Sequence, residues 1–201
     1  MQKEQDARLS EIYTAYLTVI SPFIIQLETL DGEFPVEILN EIRSIFTHLA
    51  RCSSAADEKI YEDNVIKAER HVKRAILDCF KYMCVAYDEH FRRFSKINRN
   101  VDLSFVDNGS FLQELTSLRI EAVNNKTAAQ KKELAAENLE DVFEDYEKAY
   151  NSYAAVYNLI QSSSKSINYV KHKAALKDRL TTAFGIVGVV SLVLTVIFRF
   201  I

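Results

Sequence analysis

Residues 57–97, DEKIYEDNVIKAERHVKRAILDCFKYMCVAYDEHFRRFSKI, decide the fold of this 201-residue chain. Apolar side chains recur along this stretch every three or four residues. Because an α-helix has about 3.6 residues per turn, this spacing keeps them on one face. The stretch therefore predicts one long amphipathic helix that packs against other helices. Its stripe consists of Tyr61, Val65, Ala68, Val72, Ile76, Cys79, Met83, Tyr87 and Phe94.

The same periodicity predicts helices on both sides of this stretch. We expect a first helix over residues 4–29, bent near Pro22, and a second with Pro35 in its first turn. A fourth stretch begins near Ser110 and becomes wholly polar over residues 124–133, where we expect a break or a projecting turn. Four Gly and two Pro leave few turn signals. The chain is therefore expected to be an all-α bundle of about five helices.

The polar stretch is followed by a heptad seam that begins at Leu139. Such a seam favours either a coiled coil with another chain or packing within one bundle. The register continues towards the C-terminus unless residues 161–166, QSSSKS, interrupt the helix, in which case Ser166 would cap a new one. The seam positions are Leu139, Val142, Tyr146, Ala149, Tyr153, Val156 and Ile160, and in the longer helix also Ile167, Val170 and Ala174.

The C-terminal residues predict a membrane span. Nineteen residues between Arg179 and Arg199 carry no charge, and a helix of that length is about 28 Å long, close to a bilayer's hydrocarbon core. A buried core helix is the alternative. Residues 165–179 are rich in Lys and Arg, which favours the cytoplasmic side, and MQKEQDARLSE is too charged for a signal peptide. We expect a cytoplasmic domain at 1–164, a basic juxtamembrane helix at 165–179 and one inner (plasma) membrane span at 180–201.

Two sets of residues around this span are candidate membrane contacts. Small and polar residues fall on one stripe of the span, which suits close packing in a homo-oligomer or pore, although chance clustering in a lone helix is the alternative. The stripe is Thr181, Gly185, Gly188, Ser191, Thr195 and Arg199. The basic residues before the span are expected to contact lipid headgroups. They are Lys171, Lys173, Lys177 and Arg179.

Charge is balanced overall but segregated along the chain. The net charge of −3 gives no general attraction to nucleic acid. Residues 67–99 hold nine Lys and Arg against four acids, whereas residues 133–148 hold seven acids against one Lys. These two stretches are expected to pair with each other, or the basic one to bind RNA or a partner.

The three cysteines form no CxxC pair, so we expect buried thiols in a reducing compartment and no metal or cofactor.

One pattern that carries chemistry is RSIFTH, residues 43–48, which matches the R-x(4–6)-H element of HEPN ribonucleases. In such a site a neutral His48 would take a proton from a ribose 2′-hydroxyl, and Arg43 would stabilise charge at the phosphate. His90 is expected to face the core, and neither His71 nor His172 has a spacing that suggests a metal. No HExxH, GxSxG or phosphate-binding glycine loop is present.

A helical domain with this motif, joined to one membrane span, resembles the small accessory membrane proteins of type VI-B CRISPR loci. The resemblance implies a HEPN-like bundle that assembles into an inner-membrane pore and enhances RNA-guided interference, with a CRISPR effector or RNA as functional partner. It also implies that Arg43 and His48 are the HEPN motif positions, with either a catalytic or a structural role. Two alternatives remain: a membrane-anchored HEPN ribonuclease and a tail-anchored helical tether or adaptor. Besides membrane lipids and further copies of the chain, no small-molecule substrate is indicated.

Overall fold

The computed structural model describes residues 2–136, 138, 140–176, 181 and 184. These residues form helices and connections, with no strand in the described part of the chain, so the predicted all-α class is confirmed. A π-helical turn, Tyr16–Ile20, joins the first two helices, and an irregular 3-10 segment, Leu103–Gly109, precedes α5. The helices are α1 Gln2–Ala15, α2 Ser21–Asp31, α3 Val36–Ser53, α4 Glu58–Ile97, α5 Ser110–Ala135, α6 Glu140–Ser162 and α7 at 164–176.

The predicted fold class is wrong in one part, the C-terminal transmembrane helix. No helix formed by the described residues is long and apolar enough to cross a membrane. The longest helices, α4 and α5, carry many charged side chains, which are costly in hydrocarbon, and α2 has only 11 residues. Of residues 180–201 the structure describes only Thr181 and Phe184, and both are exposed. The other predicted contacts here, Lys177, Arg179, Gly185, Gly188, Ser191, Thr195 and Arg199, lie outside the described residues.

Helix α4 is the centre of the bundle, and its predicted extent is confirmed. It begins after Asp57, whose Oδ1 accepts a hydrogen bond from the Ile60 N–H at 2.8 Å, and it continues for 40 residues. Its apolar stripe is buried or half-buried along its whole length. Four helices pack against α4, namely α1, α2, α3 and α6. A helix can contact several neighbours when it carries apolar side chains on more than one face.

The bend predicted near Pro22 is a π-helical turn directly before that residue. The Ser21 N–H donates to the Tyr16 carbonyl, five residues back, instead of four. Pro22 has no N–H and would crowd the preceding turn of a regular helix, so the wider turn accommodates it. Helix α2 then ends at Gly32, whose φ of +72° suits a residue without a side chain. The chain reverses there and enters α3 after Pro35.

The break predicted within residues 124–133 is wrong, because α5 continues through them to Ala135. Ala129 is fully buried, and the Nδ2 of Asn125 donates to the Ser152 Oγ at 2.8 Å, so this polar-looking stretch packs against α6. The chain turns only after Ala135, and the fourth predicted stretch becomes two helices, α5 and α6. A polar sequence can remain helical when small residues face its neighbour.

The heptad seam is buried within the chain. Helix α6 lies between α4 and α5, and each described seam residue from Val142 to Ile160 is at most 5 % exposed. Bundle packing, the second of the two predicted alternatives, therefore accounts for the seam. Ser163 forms a turn, but its N–H donates to the Leu159 carbonyl and its own carbonyl accepts from Ile167, so α7 follows α6 almost without interruption. Ile167 joins the same core.

Candidate functional site

The two motif residues Arg43 and His48 lie on different sides of helix α3. Five residues of an α-helix rotate by about 500°, which leaves the two side chains about 140° apart. Arg43 is exposed, whereas His48 is half-buried in the groove between α3 and α4. The described chain therefore does not bring the predicted catalytic pair together on one surface.

His48 is held by a hydrogen bond to helix α4. Its Nδ1 lies 2.9 Å from the Oδ1 of Asn64, a residue that is 7 % exposed. The Nδ2 of Asn64 donates to the Ile60 carbonyl at 2.8 Å, so Oδ1 is the atom that accepts from His48. The His48 Nδ1 must therefore carry the proton, and in the neutral ring the lone pair is on Nε2.

A second histidine completes this cluster. The rings of His48 and His71 stack with centroids 5.3 Å apart and planes 17° apart. His71 in turn pairs through Nδ1 with the Glu41 carboxylate at 2.6 Å, so a neutral His71 also has its lone pair on Nε2. We call His48, Asn64, His71 and Glu41 the histidine cluster. Sequence analysis missed Asn64, His71 and Glu41, although the i, i+7 spacing of Asn64 and His71 on one face of α4 is a signal that could have found them.

The histidine cluster offers two imidazole nitrogens that can accept a proton, but little else that phosphoryl chemistry requires. A general base needs a cation or hydrogen-bond donor nearby to stabilise the developing negative charge. Arg43, the predicted source of that charge, points elsewhere on α3. In the part of the chain that the structure describes, no group of three or more His, Cys, Asp or Glu side chains is arranged to hold a metal. The histidine cluster is best explained as a set of polar contacts that hold α3 and α4 together.

Carboxylates surround the same groove further along α4. Burial, together with the nearby charges of Glu41, Glu37 and Glu133, raises the pKa of Asp78, although Lys81 opposes the shift. The Tyr82 hydroxyl donates to Glu37 at 2.6 Å, which lowers the pKa of that carboxyl and raises the pKa of Tyr82 to about 12. This side of the groove is therefore acidic, which does not favour a polyanion such as RNA.

The expected pairing between the basic and the acidic stretch is present at Lys81. Lys81, from the basic stretch, forms an ion pair with Glu133, and the Tyr146 hydroxyl donates to the same carboxylate. His90 is half-buried with its ring edge-on to Tyr157 at 4.8 Å, and burial lowers its pKa. The Lys81–Glu133 ion pair and the His90–Tyr157 contact both join α4 to the α5–α6 pair, which indicates a structural role for Lys81 and His90.

A second candidate site lies where α7 meets the 3-10 segment. Phe105 and Tyr169 are 71 % and 68 % exposed, and they line the same shallow groove together with Lys165. The Ser166 Oγ donates to the Asp107 Oδ1 at 3.2 Å, which ties α7 to the 3-10 segment. We call Phe105, Lys165, Tyr169 and Lys173 the α7 surface.

The two predicted lipid contacts that the structure describes belong to α7. Lys171 is half-buried and Lys173 is exposed. Chain residues 148–177 contain no Asp or Glu, so the positive charge of α7 is not neutralised within that stretch. Exposed aromatic side chains were not anticipated at this site, because no periodicity marks Phe105 in its loop.

No known family matches this chain. No family model, no curated protein and no solved structure is similar to it. The resemblance to the type VI-B accessory proteins therefore depends on residues 43–48 and the predicted architecture, and it stays a prediction.

Proposed function

We propose that this protein is a helical adaptor that docks on an anionic membrane surface through the α7 surface. The observation that carries the proposal is the pair of exposed aromatic rings, Phe105 and Tyr169, in one groove with Lys165. A single exposed apolar side chain is ordinary, whereas two aromatic rings that line one groove form a patch, and exposed patches mark interaction surfaces. Aromatic rings beside lysines are typical of surfaces that contact the interface of a bilayer, where the rings enter the headgroup region and the lysines meet phosphates.

The packing below the α7 surface supports a rigid docking site. Val106 is fully buried directly after Phe105, and Ile167 is buried two residues before Tyr169. Both aromatic residues thus project from a backbone that is fixed to the core. The Ser166 to Asp107 hydrogen bond holds the two segments together. A fixed site loses less conformational entropy on binding than a flexible loop would.

The positive charge of α7 predicts a preference for anionic lipids. Lys165 and Lys173 belong to the α7 surface, and each contributes about 1 kcal/mol near an anionic leaflet at moderate salt. The half-buried Lys171 lies about 160° around α7 from Tyr169, so it contributes less. His172, exposed between the last two lysines, would add to this attraction when protonated. We therefore expect affinity for phosphatidylserine-containing vesicles that falls as salt rises.

The adaptor proposal is preferred to the other two predictions for separate reasons. A ribonuclease would need Arg43 and His48 on one surface, and α3 holds them about 140° apart. The pore prediction needs a span, and no described helix is able to provide one. Homo-oligomerisation and enhancement of RNA-guided interference stay predictions.

The test is binding of the full chain to vesicles of phosphatidylcholine with and without 30 % phosphatidylserine, measured by flotation. Comparing the two compositions isolates the electrostatic part of binding from any apolar insertion. We expect the combined variant Lys165→Glu, Lys171→Glu and Lys173→Glu to lower binding to anionic vesicles at least tenfold, since about 1 kcal/mol is lost for each of Lys165 and Lys173. The variant Phe105→Ser with Tyr169→Ser should weaken binding to both vesicle types.

The matched control reverses three exposed lysines elsewhere, with Lys59→Glu, Lys67→Glu and Lys131→Glu. It makes the same change in net charge but leaves the α7 surface intact, so anionic binding should stay within about twofold of wild type. Equal losses in the two triple variants would contradict a defined docking surface. Tight binding to an acidic protein but not to vesicles would assign the α7 surface to a protein partner instead.

A further inference from the structure

An open apolar groove of about 510 Å³ lies between the end of α4, the connection through Leu103 and the first turns of α5. Its walls come from three separate segments, so no single element closes it. We call it the α4–α5 groove. The apolar side chains that line it are Phe91, Phe94, Leu103, Leu112, Leu115 and Ile120.

The α5 wall of this groove continues as an exposed apolar stripe. Leu112, Ile120 and Val123 are 38 %, 57 % and 40 % exposed. At about 100° per residue they lie within about 80° of one another, so the stripe is continuous and about 16 Å long, three turns of helix. An apolar patch beside a groove is typical of a surface that another molecule covers.

The α4 side of the groove is basic. Arg99 is exposed and lines the groove, and Arg92 is exposed two turns earlier on the same side of α4. This end of α4 and the connection after it contain no acidic residue between positions 91 and 101. The basic residues in that range are Arg92, Arg93, Lys96 and Arg99.

The nearest carboxylates do not balance this charge. Asp88 is shared by two guanidinium groups, since its Oδ2 pairs with Arg92 at 2.9 Å and its Oδ1 pairs with Arg119 of α5. Asp102 is the one acid among the described residues that line the groove, and its Oδ1 already accepts from the N–H and the hydroxyl of Ser104. The groove therefore combines apolar walls with an excess of positive charge.

The shape of the groove favours a helix as its occupant. Both long walls are helices, and the described part of the chain contains no strand, so an extended peptide would find no strand edge to pair with. A helix satisfies its own backbone and presents apolar side chains every three or four residues. Such side chains, spread over three turns, match the length of the stripe on α5.

We propose that the α4–α5 groove binds an acidic amphipathic helix of another protein. The apolar face of that helix would contact Phe94, Leu115 and Ile120, and its acidic side chains would face Arg92 and Arg99. Residues 180–201 of this chain are apolar but contain no Asp or Glu, so they would leave the basic side unmatched. The groove is separate from the α7 surface, and the proposal does not depend on membrane docking.

The test measures the binding of three labelled synthetic peptides to the full chain by fluorescence anisotropy, in buffer without vesicles. The acidic peptide forms a helix with Leu along one face and Glu on both flanks. The basic peptide replaces each Glu by Lys, and the scrambled peptide keeps the acidic composition without a continuous apolar face. We expect the acidic peptide to bind about tenfold more tightly than either of the others. Its advantage over the basic peptide should shrink as salt rises.

Two substitutions locate the binding. Ile120→Asp places a negative charge on the apolar α5 wall and should weaken binding of the acidic peptide about tenfold. Arg99→Glu should weaken binding of the acidic peptide and strengthen binding of the basic one. The matched controls are Leu134→Asp, at an exposed position further along α5, and Lys59→Glu, at an exposed position near the start of α4. Neither control should change an affinity by more than about twofold.

Equal affinity for the acidic and the basic peptide would overturn the proposal, as would equal losses in Ile120→Asp and Leu134→Asp. The proposal also fails if no peptide binds. Self-association of the wild type that Ile120→Asp abolishes would assign the groove to a second copy of the chain instead. Acidic-peptide binding that tightens in the variant Leu192→Asp with Leu194→Asp would assign it to the chain's own C-terminal residues. Far-UV circular dichroism checks that each variant folds.

Discussion

His48 stacks on His71 across the α3–α4 groove, with ring centroids 5.3 Å apart. The partner of the motif histidine is thus a residue of another helix and not Arg43, which precedes it by five residues in the chain. Hydrogen bonds to Asn64 and Glu41 fix the two rings from opposite ends. The contact joins α3 and α4, which form one side of the bundle. Substituting a motif residue that takes part in this contact should therefore change the stability of the fold.

Replacing His48 should destabilise the fold, whereas replacing Arg43 should not. His48→Ala leaves the buried Oδ1 of Asn64 without its donor, a loss of about 1–3 kcal/mol in the free energy of unfolding. Arg43→Ala removes an exposed side chain and should change that free energy by less than about 0.5 kcal/mol. Chemical denaturation of both variants provides the measurement. Equal destabilisation would mean that Arg43 makes a stabilising contact in the native protein.

We expect no metal-independent RNA cleavage that depends on the motif. With Arg43 on a different side of α3 from His48, the motif would not stabilise the charge developing on a phosphate. Purified wild-type protein and the Arg43→Ala, His48→Ala double variant should therefore cut a fluorescent single-stranded RNA at the same background rate. Cleavage by the wild type that disappears in the double variant would revive the ribonuclease alternative, with a second copy of the chain supplying the missing charge.

Asp78→Asn should stabilise the protein at neutral pH. A pKa raised by burial and neighbouring carboxylates means that the charged form is disfavoured in the folded state. Removing that charge should raise the unfolding midpoint by about 2 °C at pH 7. The gain is present above the folded-state pKa of Asp78 and should disappear as the pH falls through it towards the ordinary value near 3.8.

The control for this pH dependence is Asp63→Asn, an exposed carboxylate on the same helix. Differential scanning fluorimetry from pH 7 to pH 3 should show no difference between this variant and wild type at any pH. A stability gain for Asp78→Asn that stayed constant over the whole range would show that the effect is not due to ionisation.

The three cysteines should resist alkylation in the folded protein. All three are free and buried, and burial raises the pKa of both Cys79 and Cys84 to about 12, so almost no thiolate forms at pH 8. Burial likewise raises the pKa of Cys52. Iodoacetamide labelling followed by mass spectrometry should be at least about a hundredfold slower in buffer than in urea. Rapid native labelling of Cys84 would indicate opening of the bundle around α4 and α6.

The helices themselves were predictable because their signals are local. The 3.6-residue spacing over residues 57–97 gave the central helix to within one residue, and Pro22 marked the bend in the first long helical segment. The seam of α6 was identified correctly, although spacing alone left open whether the partner was another chain or the same one. Residues 124–133 were misread because the small side chain of Ala129 gives no apolar periodicity.

The pairing of side chains across helices depended on the tertiary structure. Sequence spacing placed Arg43 and His48 in one motif, yet the rotation of α3 directs them to different surroundings, and the antiparallel packing of α4 supplies Asn64 and His71 instead. The Arg119–Asp88 pair and the exposed Phe105 beside Tyr169 were equally inaccessible to sequence reasoning. Helix formation follows from the periodicity within a segment, whereas a site requires the relative rotation and offset of several helices, which only their packing together determines.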